Sequence, residues 1–102
     1  MDVNYKKSKG DLTLYLSGEI DECNMRSVKD AIDKVIDCNV NSKRVIFNLS
    51  GVSFMDSTGI GFLIGRYKKL KKINVPTFLS GANFSTERIL ELAGIYQIMP
   101  KC

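Results

Sequence analysis

The apolar run Val45–Leu49 constrains the fold more than any other segment of this chain. It is hydrophobic at every position except Asn48, so it lacks the alternation of apolar and polar residues expected of a strand with one solvent-exposed face. Such a run is typical of a strand that is covered on both faces. It therefore predicts a parallel or mixed sheet with helices packed against it.

The N-terminal segment predicts a β-hairpin. Val3 and Tyr5 alternate with polar residues, and Lys7–Gly10 has the composition of a turn. Leucine then occupies every second position of Leu12–Leu16, which is the period of a half-buried strand. The pattern breaks at Gly18–Asp21, so we expect the second strand to end there.

Three helices are expected in the rest of the chain. The first spans about Asn24–Cys38, the second runs from the turn at Ser57 to about Lys72, and the third covers about Phe84–Ala93. The apolar residues expected on the inner faces of the first two helices recur at helical spacing: Met25, Val28, Ala31, Ile32, Val35, Ile36, Ile60, Leu63, Ile64, Tyr67 and Leu70.

Polar residues at the predicted helix ends mark candidate caps. Asp21 or Asn24 suits the start of the first helix, and Asn83 or Ser85 suits the start of the third. Gly94 suits the position just after the third helix, where a left-handed conformation is common.

Two more short strands complete the expected fold. The first is Val75–Leu79, where Pro76 indicates a position near a sheet edge because proline cannot donate a ladder hydrogen bond. The second is Tyr96–Met99. The element order is then β-β-α-β-α-β-α-β, which predicts an α/β fold with a mixed sheet, an N-terminal hairpin and packed helices. The length of 102 residues predicts one domain over residues 1–102.

Histidine is absent from the sequence, and this limits the chemistry that the chain can perform. Without histidine there is no Ser-His-Asp or Cys-His arrangement, and the commonest metal ligand is missing. The cysteines Cys23, Cys38 and Cys102 form no Cys-x-x-Cys pair, and we interpret them as ordinary reduced thiols. The composition therefore argues against a metal site and against most hydrolase mechanisms.

The net charge of +4 is concentrated in the predicted second helix, in Arg66, Lys68, Lys69, Lys71 and Lys72. A nucleic-acid interface would need stacking aromatics beside these cations, but only Tyr67 lies within the run. We interpret the run as a solvated helix face whose cations complement the helix dipole. A docking patch for an acidic partner is the alternative.

The N-terminus carries no apolar segment of the kind found in signal peptides, since Lys6 and Lys7 follow Asp2 and Asn4. No stretch approaches the roughly 20 apolar residues of a membrane-spanning helix. We therefore expect a cytoplasmic protein that engages neither a membrane nor a nucleic acid.

The segment Phe54–Gly61 carries most of the functional information. Its residues Asp56, Ser57 and Thr58 stand between the strand Val45–Leu49 and the second helix, and a glycine follows them. This places Ser57 at or just before a helix N-terminus. Unpaired N–H groups and the positive end of the helix dipole favour added negative charge at such a position.

Two enzymatic or ligand-binding interpretations of this segment fit poorly. Gly59, Gly61 and Gly65 resemble a dinucleotide fingerprint, but Ile64 stands where the third glycine of G-x-G-x-x-G belongs. A serine nucleophile at Ser57 would need a G-x-S-x-G turn and a histidine base, and the sequence has neither.

Two other interpretations stay open on the residues alone. Asp56, Ser57 or Thr58 could serve only as the cap of the second helix. Alternatively, Ser57 could be phosphorylated, which would add about −1.5 to −2 charge and strong acceptor oxygens. A partner docked over this surface would then be displaced while the fold persists.

Several segments, in the right order, resemble the anti-sigma factor antagonists, which are stand-alone members of the STAS domain family. The central match is Phe54–Gly61 with its continuation Gly65–Lys68. Gly18–Asp21 is similar to an early G-E-L-D element, and Asn48–Val52 to the strand end and loop before the motif. Ile89–Ile95 is similar to the late helix that ends in glycine. The resemblance covers nearly the whole chain.

The resemblance implies a phosphorylation-controlled binding module without enzymatic activity or a cofactor. The unphosphorylated protein would bind an anti-sigma factor that is also a serine kinase, and would thereby release the sigma factor. The kinase would phosphorylate Ser57, and a PP2C-type phosphatase would restore binding. The protein itself is expected to be a monomer.

The resemblance also implies roles for individual residues. Ser57 is the phosphoacceptor, Asp56 is the contact beside it, and Thr58 and Gly59 shape the turn. Asp21 contributes to partner binding and is expected at the same end of the sheet as Ser57. The adjacent residues expected to form the docking surface or to pack the helix are Ile60 and Gly61.

The continuation Gly65–Lys68 resembles the sporulation branch, which acts on sigma-F, more than the general-stress branch. The chain departs from the family pattern at Glu22–Met25, which lacks a small Thr-Ala start, and at Lys72–Pro76, which lacks paired glycines. The alternative function, from another class, is a STAS-like nucleotide or small-ligand sensor.

Overall fold

The computed structural model describes residues 2–102. The strands are β1 (Asp2–Ser8), β2 (Asp11–Ile20), β3 (Arg44–Met55) and β4 (Thr77–Ser80). The helices are α1 (Glu22–Asp37), α2 (Ser57–Lys71) and α3 (Phe84–Leu92), and a short 3-10 helix (Ile95–Gln97) follows them.

The strands form one sheet in the order β1-β2-β3-β4. The pair β1–β2 is antiparallel, whereas β2–β3 and β3–β4 are parallel and are joined through α1 and α2. This confirms the predicted α/β fold with a mixed sheet and an N-terminal hairpin. It also confirms that the strand after Pro76 lies at an edge of the sheet.

The hydrophobic core lies on one face of the sheet. Leu12 is registered with Val45, and Leu14 with Phe47, and all four side chains are buried on the same face. The buried residues that the helices contribute to this cluster are Met25, Ile32, Ile36, Phe62, Leu63, Leu70 and Leu90. The helices therefore cover this face.

The expectation that Val45–Leu49 is covered on both faces by helices is wrong. Ile46 points to the face opposite the core cluster and is only 8% exposed. Its registered neighbours in the adjacent strands are Thr13 and Phe78. Side chains within the sheet, not a second layer of helices, therefore explain why the run is apolar at Ile46.

Strands β2 and β3 extend further than predicted. β2 continues through Gly18 to Ile20, and β3 continues to Met55. The pairing of β2 with β3 shifts register near Ser17 and Gly18, as at a β-bulge. Gly18 has a positive φ of 99°. Because such bulges interrupt the alternation of side chains, the pattern seemed to end where the strand in fact continues.

The predicted last strand, Tyr96–Met99, is not formed. The 3-10 helix Ile95–Gln97 occupies this stretch, after Gly94 adopts the expected left-handed conformation with φ 70°. Strand pairing appears only later, as a parallel bridge between Lys101 and Leu79.

Helix packing agrees with most of the predicted inner residues and adds one that was missed. Phe62 is buried and packs edge-on against Phe47, with ring centroids 6.5 Å apart. Ala31, in contrast, is exposed. Among residues 2–102, no helix has the length and apolar character needed to cross a membrane.

Candidate functional site

Two aspartates begin two helices at the same end of the sheet. Asp21 follows β2 and Asp56 follows β3, directly after the registered pair Ile20 and Met55. The N–H of Asp56 donates to the carbonyl of Ile20 at 3.3 Å, which ties the two strand ends together. The carboxyl ends of neighbouring parallel strands thus bring both loops to one edge.

Asp56 is the N-cap of α2. Its Oδ1 accepts hydrogen bonds from the backbone N–H groups of Thr58 at 2.9 Å and Gly59 at 3.4 Å. Its carbonyl accepts from the N–H of Gly59 and of Ile60. Of the three residues that could have capped this helix, the structure selects Asp56.

Ser57 is the first residue of α2, and it is exposed. Within the described part of the chain, its hydroxyl makes no hydrogen bond to another residue. The cap does not need this hydroxyl because Asp56 supplies the acceptor oxygen. A group added to Ser57 would therefore project from the helix N-terminus without breaking a side-chain contact.

Asp21 caps α1 in the same way. Its Oδ1 accepts from the N–H of Asn24 at 3.0 Å, and its carbonyl accepts from the N–H of Met25. The Asn24 side chain instead donates to the carbonyl of Glu19. The structure thus places Asp21 at the same end of the sheet as Ser57, as expected.

Gly59 is required by close packing. A Cβ at this position would lie 2.5 Å from Met55 Cγ and 2.8 Å from Ile20 Cγ2. The absence of a side chain therefore lets the first turn of α2 sit directly on the ends of β2 and β3. Ile60 is half-buried against the core cluster.

Gly61 has a different environment. A Cβ there would meet no atom within 4 Å, and the residue is exposed. Neither packing nor backbone conformation explains a glycine at this position. Gly61 keeps the surface flat one turn after Ser57, beside Thr58, which is partly exposed.

Gly61 and Thr58 border a groove of about 350 Å³ between α1 and α2. Arg26 and Lys29 contribute cations from α1, and Arg66 contributes one from α2. The groove adjoins the Ser57 surface and is lined by more basic than acidic groups, since Glu22 is the single acid in its lining.

Arg66 is a residue whose placement the sequence did not reveal. Its Nε lies 3.3 Å from Asp33 Oδ1, and its guanidinium lies 4.7 Å from the centroid of the Phe62 ring. With a side chain only 12% exposed, Arg66 joins α1 to α2. The spacing from Phe62 to Arg66, four residues on one helix face, is the signal that could have identified it.

The interpretation of the cationic run as a fully solvated face is therefore wrong in part. Lys69 also forms ion pairs with α1, since its Nζ lies 2.9 Å from Asp37 Oδ1 and 3.9 Å from Asp33 Oδ1. Lys68, Lys71 and Lys72 are exposed as predicted.

No group of three or more potential metal ligands occurs among residues 2–102. Cys23, Cys38 and Cys102 are free and exposed.

Comparison with known proteins agrees with this geometry. The model of the STAS domain family matches residues 2–102. An anti-sigma F factor antagonist from Paenibacillus polymyxa is 28% identical over 98% of this chain and 85% of its own length. An anti-sigma-B factor antagonist from Listeria monocytogenes is 30% identical over 86% of this chain and 75% of its own length.

Solved structures share the fold. The anti-sigma factor antagonist SpoIIAA in its unphosphorylated form has a TM-score of 0.80 at 22% identity, over 99% of this chain and 88% of that one. The Bacillus protein SpoIIAA in its phosphorylated form has a TM-score of 0.72 at 22% identity, over 99% of this chain and 91% of that one.

Proposed function

Because the chain belongs to the STAS domain family, among relatives named anti-sigma factor antagonists, we propose that it is such an antagonist, controlled by phosphorylation of Ser57. In this proposal the unphosphorylated protein binds an anti-sigma factor that is also a serine kinase, and this binding frees the sigma factor. The similarity to anti-sigma F factor antagonists favours the sporulation type.

The observation that carries the proposal is that Asp56 caps α2, whereas Ser57 is exposed and takes no part in the cap. Asp56 supplies both side-chain hydrogen bonds that cap α2, and Ser57 stands beside it, exposed and without a side-chain partner in the described chain. If Ser57 served only as a cap, its hydroxyl would accept the hydrogen bonds from the helix N–H groups that Asp56 accepts instead. The geometry therefore supports the switch over the cap.

A phosphate on Ser57 would act locally. The helix N-terminus offers backbone N–H groups and a positive dipole end, which favour the phosphate oxygens and leave the fold intact. The added charge of about −2 would stand beside the Asp56 carboxylate. A partner seated on this surface would meet new charge and bulk, so its affinity would fall.

The proposed partner surface comprises the exposed and half-buried residues around Ser57 together with the buried Gly59 that positions them. It consists of Asp21, Asp56, Ser57, Thr58, Gly59, Ile60 and Gly61. The flat surface at Gly61, with no atom within 4 Å of a notional Cβ, is suited to close contact with a partner. Gly59 acts indirectly, because it seats the first turn of α2 on the strand ends.

The remaining parts of the proposal follow from the same family. The protein acts in the cytoplasm as a monomer, without enzymatic activity of its own, and a PP2C-type phosphatase removes the phosphate. It binds the kinase as ligand and substrate.

Mass spectrometry after incubation with ATP and the anti-sigma kinase encoded nearest to this gene tests the proposal. We expect one phosphate, localised to Ser57 by fragmentation. A kinase that phosphorylates itself or another antagonist but leaves this chain unmodified would contradict the proposal. In that case the segment would serve as a helix start alone.

A further inference from the structure

A second cavity lies at the other end of α2, away from Ser57. It has a volume of about 400 Å³ and is bordered by Tyr67 and Lys71 of α2, by residues at the start of β4, and by Ile98 and Pro100. Its size is that of a pocket for a small organic molecule. Nothing in the proposed switch uses it.

The cavity opens onto the free edge of β4. The N–H of Val45 donates to the carbonyl of Pro76, so residues 76 and 78 direct their backbone groups towards β3. Thr77 and Leu79 must then direct theirs outwards. Leu79 does so, since its N–H donates to the carbonyl of Pro100 and its carbonyl accepts from the N–H of Cys102.

This outer pairing stops at Thr77 for a chemical reason. Continued in the same register, the carbonyl of Thr77 would accept from the N–H of residue 100, but residue 100 is proline and has no N–H. Within residues 2–102, neither the N–H nor the carbonyl of Thr77 has a partner on this side. Both groups lie on the outer side of β4, beside the cavity that Thr77 lines.

The Thr77 side chain adds a third polar group. Thr77 lines the cavity and is 2% exposed, and its Oγ1 is buried with no hydrogen-bond partner among the described residues. A buried hydroxyl without a partner is costly, and such groups are rare in folded proteins. A bound molecule with a hydrogen-bonding edge would satisfy it.

The charge of the cavity is positive. Lys71 lies with its Nζ 5.8 Å from the Tyr67 ring centroid, and it forms no ion pair within the described chain. No acidic residue lines the cavity, whose other walls include Val75, Phe78 and Ile98. A ligand that fits this environment has an apolar, planar body and one acidic group.

We propose that this cavity is a binding site for a small aromatic acid. The aromatic ring packs against Tyr67 and Ile98, the acidic group lies near Lys71, and the polar edge of the molecule meets Thr77. The site is separate from the surface around Ser57, so this proposal does not depend on whether Ser57 is phosphorylated.

The probe for this site is 8-anilinonaphthalene-1-sulfonate, which joins an aromatic body to one anionic group. We expect saturable binding by fluorescence, with amide chemical-shift changes in NMR spectra confined to Thr77, Lys71 and their neighbours. N-phenyl-1-naphthylamine has the same ring system without the sulfonate, and should bind more weakly. Shift changes centred elsewhere, or no saturation, would overturn the proposal.

Two neighbouring lysines provide a matched pair of variants. Lys71→Glu should weaken probe binding by up to about fivefold, the upper range for an exposed ion pair. Lys72→Glu makes the same charge change one residue later, outside the cavity lining, and should leave the affinity nearly unchanged. Equal losses in the two variants would show a general charge effect and would contradict the site.

Thr77→Val tests the polar edge. The substitution keeps the shape of the side chain but removes its hydroxyl, so the fold should persist, as judged by the dispersion of the NMR spectrum. Weaker binding of the sulfonate probe to a folded Thr77→Val protein supports the site. Unchanged affinity for the probe in both Thr77→Val and Lys71→Glu would contradict it.

Discussion

Asp21 and Asp56 hold equivalent positions, each directly after one member of the registered pair Ile20 and Met55, and each caps the helix that starts at the next residue. The two caps are thus neighbours because their strands are neighbours. This arrangement places the starts of α1 and α2 side by side and leaves Ser57 exposed at the first position of α2.

Changing Ser57 should affect partner binding and leave the fold unchanged. Ser57→Ala is expected to bind the anti-sigma kinase like the unmodified protein but to resist inactivation by ATP. Ser57→Asp adds part of the charge of a phosphate, so its affinity should fall by about tenfold or more. Calorimetric titration of both variants with the kinase measures this. Equal affinity of both variants and the unmodified protein would argue against the switch.

Removing the cap should lower stability in a way that depends on the acceptor oxygen. Asp56→Ala leaves the N–H groups of Thr58 and Gly59 without their side-chain acceptor, so the free energy of unfolding should fall by about 1 kcal/mol. Asp56→Asn keeps an acceptor oxygen and should lose clearly less. Urea unfolding followed by circular dichroism compares them. Equal losses would mean that charge, not the hydrogen bond, provides the stabilisation.

Two glycines of α2, Gly59 and Gly61, should respond in opposite directions to substitution by alanine. Gly59→Ala places a Cβ against Met55 and Ile20, and should lower the free energy of unfolding by about 1–3 kcal/mol. Gly61→Ala meets no atom and should raise it by about 0.5–1 kcal/mol, because alanine favours the helix. Each variant is the control for the other in the same denaturation experiment. A similar change in the free energy of unfolding for both would contradict the difference in packing between Gly59 and Gly61.

Arg66 should contribute to stability through its buried contacts. Arg66→Ala removes the contact to Asp33 and the stacking on Phe62, so the free energy of unfolding should fall by about 1–3 kcal/mol. Arg66→Lys keeps the charge but not the planar stack, and should be intermediate. Arg88→Ala, at an exposed arginine of α3, is the control and should change stability little.

Stability should decline at alkaline pH partly because of Lys101. Its hydrogen bond with Glu87 raises the pKa of the Lys101 ammonium above the ordinary value. A raised pKa in the folded state means that this contribution is complete below the unfolded pKa, near 10.5, and is lost as the pH rises through the folded pKa.

Denaturation between about pH 9 and about pH 12 checks this. Glu87→Gln should flatten the alkaline decline. Glu22→Gln, which changes an exposed acid on α1, should leave the slope as it is. Burial also raises the pKa of the Tyr96 hydroxyl, so some decline should persist in Glu87→Gln. An identical slope in all three proteins would contradict the role of Glu87.

Local patterns were sufficient to predict the helices and to narrow each cap to two or three residues, from which the structure selects one. Asp21, Asp56 and Asn83 each act within three residues of their own position, so the sequence contains both partners of every cap. The position of Gly94 was predictable for the same reason. The order of the elements then gave the class of the sheet.

Features that depend on distant residues were not predictable in this way. The contact between Arg66 and Asp33 exists only once α1 and α2 pack together, so a list of cations could not separate Arg66 from Lys68. The apolar character of Ile46 reflects its neighbours across the sheet, Thr13 and Phe78. The end of the outer pairing at Thr77 likewise requires knowledge of where Pro100 lies.

The sequential strand order β1-β2-β3-β4 has a consequence for biosynthesis. Each strand that leaves the ribosome pairs with the strand made just before it, so no segment has to wait for one that is still to be translated. The segment around Lys101 follows β4 in the chain and pairs with its edge at Leu79. The sheet can therefore grow in one direction during synthesis, and the segment that pairs with Leu79 is made after the edge strand that it meets.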